Sequence, residues 1–301
     1  MNLQKRSIRA SLRVHLKAFL FLLPIMVSMG LFKYIPFFQS IVKSFYQWNG
    51  ANINKFVGLD NFVRLFQDST FHHALKNIAL FTGSFVVINL IFPLFAAVTV
   101  SHIKHKGIQN ITKTLFLVPL VVPYIIIYLL WQWIYMGNGV INQFLKLVGL
   151  GDWTQAWLGD SGLAPWSVIF VNFPWIGGIY FLIYLAGIIT ISPELYEVGR
   201  IDGIGKWRRF WSVELPLIKN QVKLVVMLAF INQFQSFENV LVLTNGGPGN
   251  ATITPALYLY KAGFEYNQFG YASAIGVIIF IILVTVTLLF NKTVKSQEAA
   301  D

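Results

Sequence analysis

The 301-residue chain has no cysteine, which excludes disulfides, thiolate metal sites and cysteine nucleophiles. Charge is scarce too: Asp, Glu, Lys and Arg make up 12% of the chain, and only 12 residues are acids. No paired carboxylates, nucleophile elbow or metal cluster lies in or beside the apolar runs, so no hydrolytic chemistry is indicated. A P-loop is missing as well. That motif needs Gly, four residues, Gly-Lys and a hydroxyl. The pair Gly205-Lys206 has Arg200 where the first glycine belongs and Trp207 where the hydroxyl belongs. Long hydrophilic linkers are also lacking: the longest connection between apolar runs, 42–77, is about 36 residues, short of the ~50 at which independent domains usually begin.

What the chain has in abundance is apolar sequence, 56% of residues, with a mean hydropathy of +0.62. A soluble domain of this size does not carry that excess. A helix of roughly 20 residues crosses a ~30 Å hydrocarbon core, and about six runs qualify, near 17–41, 78–101, 113–136, 164–190, 222–243 and 271–291. The chain is therefore expected to be an all-α integral membrane protein and one transmembrane unit over 1–301. Its first run is too long and too aromatic for a cleaved signal peptide and is expected to remain as a signal-anchor span.

The net charge of +11 raises the question of nucleic acid, and the distribution answers it. Of 23 Lys and Arg, sixteen lie in the N-terminal tail, after span two, after span four and in the C-terminal tail; the alternate connections hold six, and Lys33 lies within span one. That alternation is the positive-inside pattern, with both termini expected in the cytoplasm. The basic charge sets topology, and no nucleic-acid partner is implied.

Several local patterns admit two readings. In the outer connection, Gly58-Leu59-Asp60-Asn61-Phe62 reads as a turn and a capping acid before an interfacial helix over 62–75. Trp131, Trp133, Trp153, Trp157 and Trp166 gather at the outer ends of spans three and four, either as interfacial anchors or as stacking surfaces for sugar rings. His102 and His105 are three apart on a basic turn, which suits interfacial histidines better than a metal site with no carboxylate nearby.

The connection 192–223 is long and highly charged. Ser192-Pro193-Glu194 reads as an N-cap, a first helical position and an acid matched to the helix dipole. Gly203 and Gly205 permit a sharp turn. A second short helix through Trp207, Phe210 and Val213 presents apolar residues rimmed by Lys206, Arg208 and Arg209, and Leu215-Pro216 starts the next span. Two short helices joined at a glycine suit docking in a groove of another protein, although an ordinary interfacial helix-turn fits the same pattern.

These residues resemble the permeases of binding-protein-dependent ABC importers, in particular the sugar branch that includes the maltose-transporter type. The family signature is Glu-Ala-Ala, three residues, Gly, nine residues, Ile, one residue, Leu-Pro. Here it stands as Glu197-Val198-Gly199, Gly203, Val213 and Leu215-Pro216, with every spacing kept. Asp202-Gly203, the outer-loop run Leu243 to Gly249 (LTNGGPG) and Gly58 to Phe62 are also similar to the sugar branch. The resemblance implies a type I ABC importer permease of six transmembrane helices with a cytoplasmic coupling-helix loop between spans four and five. Glu197, Gly199, Asp202, Gly203, Trp207, Leu215 and Pro216 would then meet the ATPase. The implied partners are a second homologous permease, an ATPase dimer, an extracytoplasmic sugar-binding protein and membrane lipid. No cofactor is expected on this chain, since ATP and its Mg would be bound by the partner ATPase.

A sugar crossing the midplane needs hydrogen-bond partners where lipid offers none, so uncharged polar residues within the spans are the candidates for its path. In span four these are Asn172 and Trp175, followed by Ile176 and Ile179 at helical spacing. In span five they are Asn232, Gln233, Gln235 and Ser236. The resemblance places Asn172, Gln233 and Ser236 at sugar-facing positions; the alternative is that the amides only bond across helices. An ion-driven secondary transporter, the main rival, needs ionisable groups buried at the midplane, and only Lys33 and Glu238 come near the spans, both toward the outer surface. A channel or membrane-bound enzyme has still less support. The topology is testable by cysteine labelling, which the cysteine-free background makes clean. A Gly203→Cys label in intact cells is expected to react only with permeant reagents, and labelling by an impermeant one refutes the assignment.

Overall fold

The computed structural model describes residues 19–176 and 178–293 and is almost wholly helical. It divides into two compact units, one comprising residues up to 65 with 261–278 and the other 66–260 with the remainder.

In the first unit, α1 (Phe19–Lys43) is an apolar helix that widens through a π turn at Gly30–Tyr34. None of its most apolar stretch is buried within the chain, as expected of a helix whose neighbours are lipid or another protein. It leads into an antiparallel hairpin that hydropathy did not reveal: β1 (Tyr46–Trp48) pairs with β2 (Asn54–Phe56), with Gln47 opposite Lys55. Its local signal is Asn49-Gly50, a turn dipeptide with Gly50 at φ 82°. The Asn61 amide then donates to the carbonyls of Ser44 (2.8 Å) and Tyr46 (3.0 Å), tying the hairpin to the start of α2 (Asp60–Gln67). The interfacial helix expected over 62–75 is thus two helices. Asp68 separates them, its carboxylate accepting from Thr70 N at 2.8 Å and capping α3.

The second unit is organised around α3 (Ser69–Ser101), a 33-residue helix. It is followed by α4 (Lys106–Leu117), α5 (Tyr124–Ile134), α6 (Val140–Leu147), α7 (Ala164–Phe170), α8 (Ile179–Ile189), α9 (Pro193–Ile201) and α10 (Lys206–Arg209). After these come α11 (Lys219–Gln235), α12 (Glu238–Leu243) and α13 (Pro255–Tyr260), and α14 (Phe269–Thr293) closes the described chain. Toward one end of α3, Ala74 and Phe81 pack with Val168, Val240 and Leu257. Toward the other, Leu94, Ala97 and Val100 pack with Phe181, Tyr184 and Ile188 of α8 and Val225 of α11. Small residues on α3 let the neighbouring helices approach, and van der Waals contact holds them where lipid supplies no hydrophobic drive.

Six continuous spans are not what the structure shows. Among the described residues three helices, α1, α3 and α14, are long and apolar enough to cross a membrane, and the number rises to five if each of two bent pairs counts as one span. The run at 113–136 bends by 87° between Leu120 and Tyr124, where Pro119 and Pro123 remove backbone donors and restrict the residues before them. The run at 164–190 is interrupted between α7 and α8. Pro174 lies in the gap, and Asn172 and Trp175 take left-handed backbone at φ 70° and 55°. The helical spacing expected from Asn172 to Ile179 is therefore wrong, because no helix exists there. The run at 222–243 starts earlier, at Lys219, and breaks at Ser236 and Phe237 before α12. Leu215-Pro216 does not begin that span: Leu215–Leu217 is helical in direct continuation of the π turn at Phe210–Glu214, and Ile218 separates it from the helix that starts at Lys219.

Close approach at Gly270 gives a test of the first unit. A Cβ there would lie 1.9 Å from the Tyr46 carbonyl oxygen, a backbone atom that cannot swing aside. Gly270→Ala is expected to destabilise by about 1–3 kcal/mol, as overpacking does. Gly83→Ala, where a Cβ meets nothing within 4 Å, is the control. Thermal unfolding of the detergent-solubilised protein reads the difference, and equal midpoints refute the contact.

Candidate functional site

The interruptions in the helices line a cavity of about 810 Å³ within the second unit. Pro119 and Leu120 line it from the bend before α5, Phe173 and Pro174 from the gap before α8, and Ser236 and Phe237 from the break after α11. Irregular backbone at membrane depth is tolerated only where it is buried in protein or lines a polar cavity, so breaks and cavity belong together. All six sequence candidates, Asn172, Trp175, Asn232, Gln233, Gln235 and Ser236, are in the lining. Sequence reasoning missed Asn89 of α3 and the phenols Tyr124 and Tyr128 of α5, which join them. The signal at Asn89 was Pro93, which has no N–H to offer the Asn89 carbonyl one turn back.

The polar side chains differ in how they are bonded. Asn232 Nδ2 donates to Tyr180 Oη at 3.2 Å, joining α11 to α8, so this amide is a cross-helix contact. Ser236 Oγ donates to Asn239 Oδ1 at 3.3 Å across the break. Trp175 Nε1 donates to the Val171 carbonyl at 2.9 Å, closing the irregular segment on itself, with its ring against Phe92 and Phe173. Gln233 is the exception: it is 9% exposed, it lines the cavity, and its Nε2 has no partner. A buried amide donor left unpaired costs about 1–3 kcal/mol. Glu238 is the one charged residue in the lining.

Trp157, a candidate for sugar stacking, is instead a structural bracket, its Nε1 donating to Asn142 Oδ1 at 2.9 Å. Trp131 reaches the cavity lining. Trp133, Trp153 and Trp166 are exposed in the chain.

The second feature is the charged helix-turn. Ser192 Oγ accepts from Glu194 N at 3.3 Å, capping α9 as its sequence indicates. The helix ends in a Schellman motif: Ile204 N donates to Gly199 O at 2.8 Å, Gly203 N donates to Arg200 O at 3.1 Å, and Gly203 sits at φ 66°. Asp202 is the C-cap and is exposed, as is Glu197, while Gly199 is buried. A Cβ on Gly203 would meet nothing within 4 Å, so backbone conformation alone demands glycine within this chain. The exposed aromatic face is Trp207 and Trp211, one turn apart at 72% and 62% exposure. The pattern through Trp207, Phe210 and Val213 is corrected here: a π turn at Phe210–Glu214 rotates the register, and Phe210 packs inward beside Leu215. Pro216 remains exposed.

Arg209 does not rim that face. Its Nε donates to Glu214 Oε1 at 3.1 Å, and the Glu214 side chain is 1% exposed. His102, just past the end of α3, brings Nε2 within 3.2 Å of the same carboxylate oxygen and 2.7 Å of Arg209 Nη2, while its Nδ1–H donates to the Val98 carbonyl at 2.7 Å. Tyr196 of α9 lies over both the guanidinium and the imidazole. The hydrogen bond to Glu214 raises the His102 pKa above its ordinary value, against burial and the neighbouring guanidinium, which lower it. Reading His102 as a plain interfacial histidine missed this partnership. The available signal was Glu214 itself, an acid flanked by Val213 and Leu215. His105 caps α4 through a bond from Ile108 N at 3.3 Å, and no group of metal-binding side chains exists among the described residues.

A cavity enclosed by broken membrane helices, with a charged helix-turn beyond it, defines a polytopic transport protein. Residues 103–296 match the model for binding-protein-dependent transport system inner membrane components, and the chain belongs to that family. It is 35% identical over 282 residues to the Probable ABC transporter permease protein YurN of Bacillus subtilis, spanning 93% of this chain and 96% of that one. It is 36% identical to the diacetylchitobiose uptake system permease protein NgcF of Streptomyces coelicolor, spanning 88% of this chain and 77% of that one. A chain from the crystal structure of a bacterial alginate ABC transporter, in complex with a periplasmic protein bound to alginate pentasaccharide, shares the fold. The TM-score is 0.84 and identity 23%, covering 95% of this chain and 96% of that one.

The different bonding of the two amides predicts different phenotypes. Gln233→Ala is expected to raise the sugar concentration for half-maximal transport several-fold with assembly intact. Asn232→Ala, which removes the bond to Tyr180, is expected to lower stability by about 0.5–1.5 kcal/mol. Transport kinetics and thermal unfolding separate them, and a purely structural phenotype at Gln233 removes it from the sugar path.

Proposed function

We propose that the chain is one permease subunit of an ATP-driven importer of neutral oligosaccharides, forming half of the translocation path beside a second permease. A cavity lined by amides, hydroxyls and aromatic rings, Gln233 among them, carries this reading, because sugars are recognised by hydrogen bonds and stacking. The names of relatives that are permeases for diacetylchitobiose, arabinooligosaccharides, lactose and starch degradation products support it. With Glu238 as its only charged lining residue, the cavity suits neutral sugars better than acidic ones such as the alginate carried by its structural relative. An ion-driven mechanism gains no support, since the lining offers no second carboxylate or base for a proton relay.

In this proposal the chain is a single transmembrane permease domain with both termini cytoplasmic, in the inner membrane of a bacterium. An ATPase dimer supplies ATP and Mg, and a sugar-binding protein delivers substrate from outside. The helix-turn 193–216 meets the ATPase. Glu197 and Trp207 are exposed for that contact, while the Gly203 turn, the buried Gly199 and Leu215-Pro216 give the element its shape. Closure of an ATPase dimer then moves the element as a rigid body.

Proteoliposomes holding the permease pair, the ATPase and the binding protein provide the test, with maltotriose, chitobiose, arabinotriose, lactose and an alginate trisaccharide as probes. Uptake of at least one neutral probe, and none of the uronic acid, is expected. Gly203→Trp is expected to retain ATP hydrolysis while losing most uptake. Normal uptake by that variant refutes the coupling role, and uptake of none of the five probes refutes the sugar assignment.

A further inference from the structure

The buried Glu214 carboxylate is shared by two basic side chains that belong to different elements. Arg209 comes from the same helix-turn as Glu214, five residues earlier, whereas His102 lies 112 residues away in sequence at the end of α3. Hydrogen bonds leave little freedom in this cluster. His102 Nδ1 is committed to Val98 of its own helix, with Ser101 Oγ 3.4 Å away, and Tyr196 covers the imidazole and the guanidinium from α9. The imidazole is thus fixed to α3 through one nitrogen and to the helix-turn through the other. The same α3 lines the cavity about four turns away, through Phe85, Ile88 and Asn89.

We propose that Glu214 is a positioning residue for transport, clasping the cytoplasmic helix-turn to His102 so that movement of the helix-turn is delivered to α3 and the cavity. This rests on the proposed contact between the helix-turn and the ATPase. Apart from the clasp, the element reaches the cavity along the chain, through α8 on one side and Leu215–Leu217 and α11 on the other, and through the packing of Tyr196, Phe210 and Leu215 against the cluster that holds Leu94, Ala97 and Val100 of α3. The chain turns by 69° where α8 meets α9, and Ile218 interrupts the helix before Lys219. The clasp adds to that apolar contact a hydrogen-bonded tie to the longest helix of the unit.

The cluster has two hydrogen-bonded states. With His102 neutral, Nε2 accepts from Arg209 Nη2; with His102 protonated, Nε2–H donates to Glu214 Oε1, and Arg209 holds the carboxylate through Nε alone. The groups facing the imidazole are Glu214 and Arg209 from the helix-turn, Tyr196 from α9, and Ser101 and the Val98 carbonyl from its own helix. Because the His102 pKa is raised, the protonated clasp is fully present below the ordinary histidine value of about 6.5 and is lost as pH rises through the raised value.

The test uses the full reconstituted complex and the neutral probe above that stimulates ATP hydrolysis most, and reads sugar imported per ATP hydrolysed. Glu214→Gln is expected to lower that ratio at least fivefold. In the unmodified complex the ratio is expected to fall as pH rises from 6 to 8, and His102→Gln is expected to give a low, pH-independent ratio. A normal ratio in assembled Glu214→Gln overturns the proposal. If that variant does not assemble, His102→Gln decides: a normal ratio with an unchanged pH profile overturns it. Gly203→Trp serves as the reference. If it also keeps a normal ratio, the contact with the ATPase is refuted; if it uncouples while Glu214→Gln does not, only the clasp is.

Discussion

In hydrocarbon every backbone N–H and C=O must find a partner inside the protein, and this chain satisfies that demand while interrupting three of its apolar runs. The substitutes for helical bonds are visible at each break. Gly178 N donates to the Phe116 carbonyl at 3.2 Å, tying the gap before α8 to the end of α4. Trp175 Nε1 serves the Val171 carbonyl, and Gln132 Nε2 donates to the Val242 carbonyl at 3.0 Å, joining α5 to α12. Discontinuous helices place polar backbone and side chains at mid-membrane without exposing them to lipid, which is the arrangement a polar solute needs along its route.

The second cost met by the structure is electrostatic. Removing a carboxylate from water is expensive, and the attraction of its partners repays this only with good geometry and satisfied lone pairs. Glu214 has two basic partners, Arg209 at 3.1 Å and His102 at 3.2 Å, both on Oε1, and such a cluster is weak evidence for stability, since apolar packing of equal volume is often as favourable. Breaking it is another matter: a lone buried charge costs about 3–5 kcal/mol. An interaction that adds little net stability yet resists separation specifies geometry between two elements, and here those elements are the helix-turn and α3.

Much of this was legible in the sequence. Ser192 capping α9 and Gly203 at its end were readable because caps are local, set by residue types within one turn. The cavity-lining amides were readable because a polar side chain in an apolar run has few ways to be satisfied. The breaks were hidden by the same averaging that finds spans, since a hydropathy window does not register whether its backbone is helical. Pro119, Pro123 and Pro174 were the overlooked signals, each removing a donor within a run read as continuous. Helical periodicity from Asn172 to Ile179 failed for that reason, though both polar members still reached the cavity. The Glu214 cluster was illegible in a different way. Nothing local to His102 indicates a carboxylate 112 residues away, and periodicity through Phe210 and Val213 misplaced Arg209 because the π turn shifts the register.

These features converge on α3. At 33 residues it extends roughly 50 Å at about 1.5 Å per residue, longer than the hydrocarbon core is thick. Its N-terminal cap, Asp68, also accepts a hydrogen bond from Tyr258 Oη, and Asn77 Nδ2 donates to the carbonyls of Asn250 and Ile253 at 3.0 and 2.9 Å, holding the loop that follows α12. Its middle lines the cavity, and its end meets Glu214. A rod gripped at both ends and lining the cavity between them converts displacement at either end into a change at the cavity wall. Pro93 is the one residue inside it that removes a helical bond, and it lies between the cavity-lining Asn89 and the clasp at His102. A bend there would let the end that meets Glu214 tilt with the helix-turn while the end capped by Asp68 stays anchored, which would change the cavity wall between them.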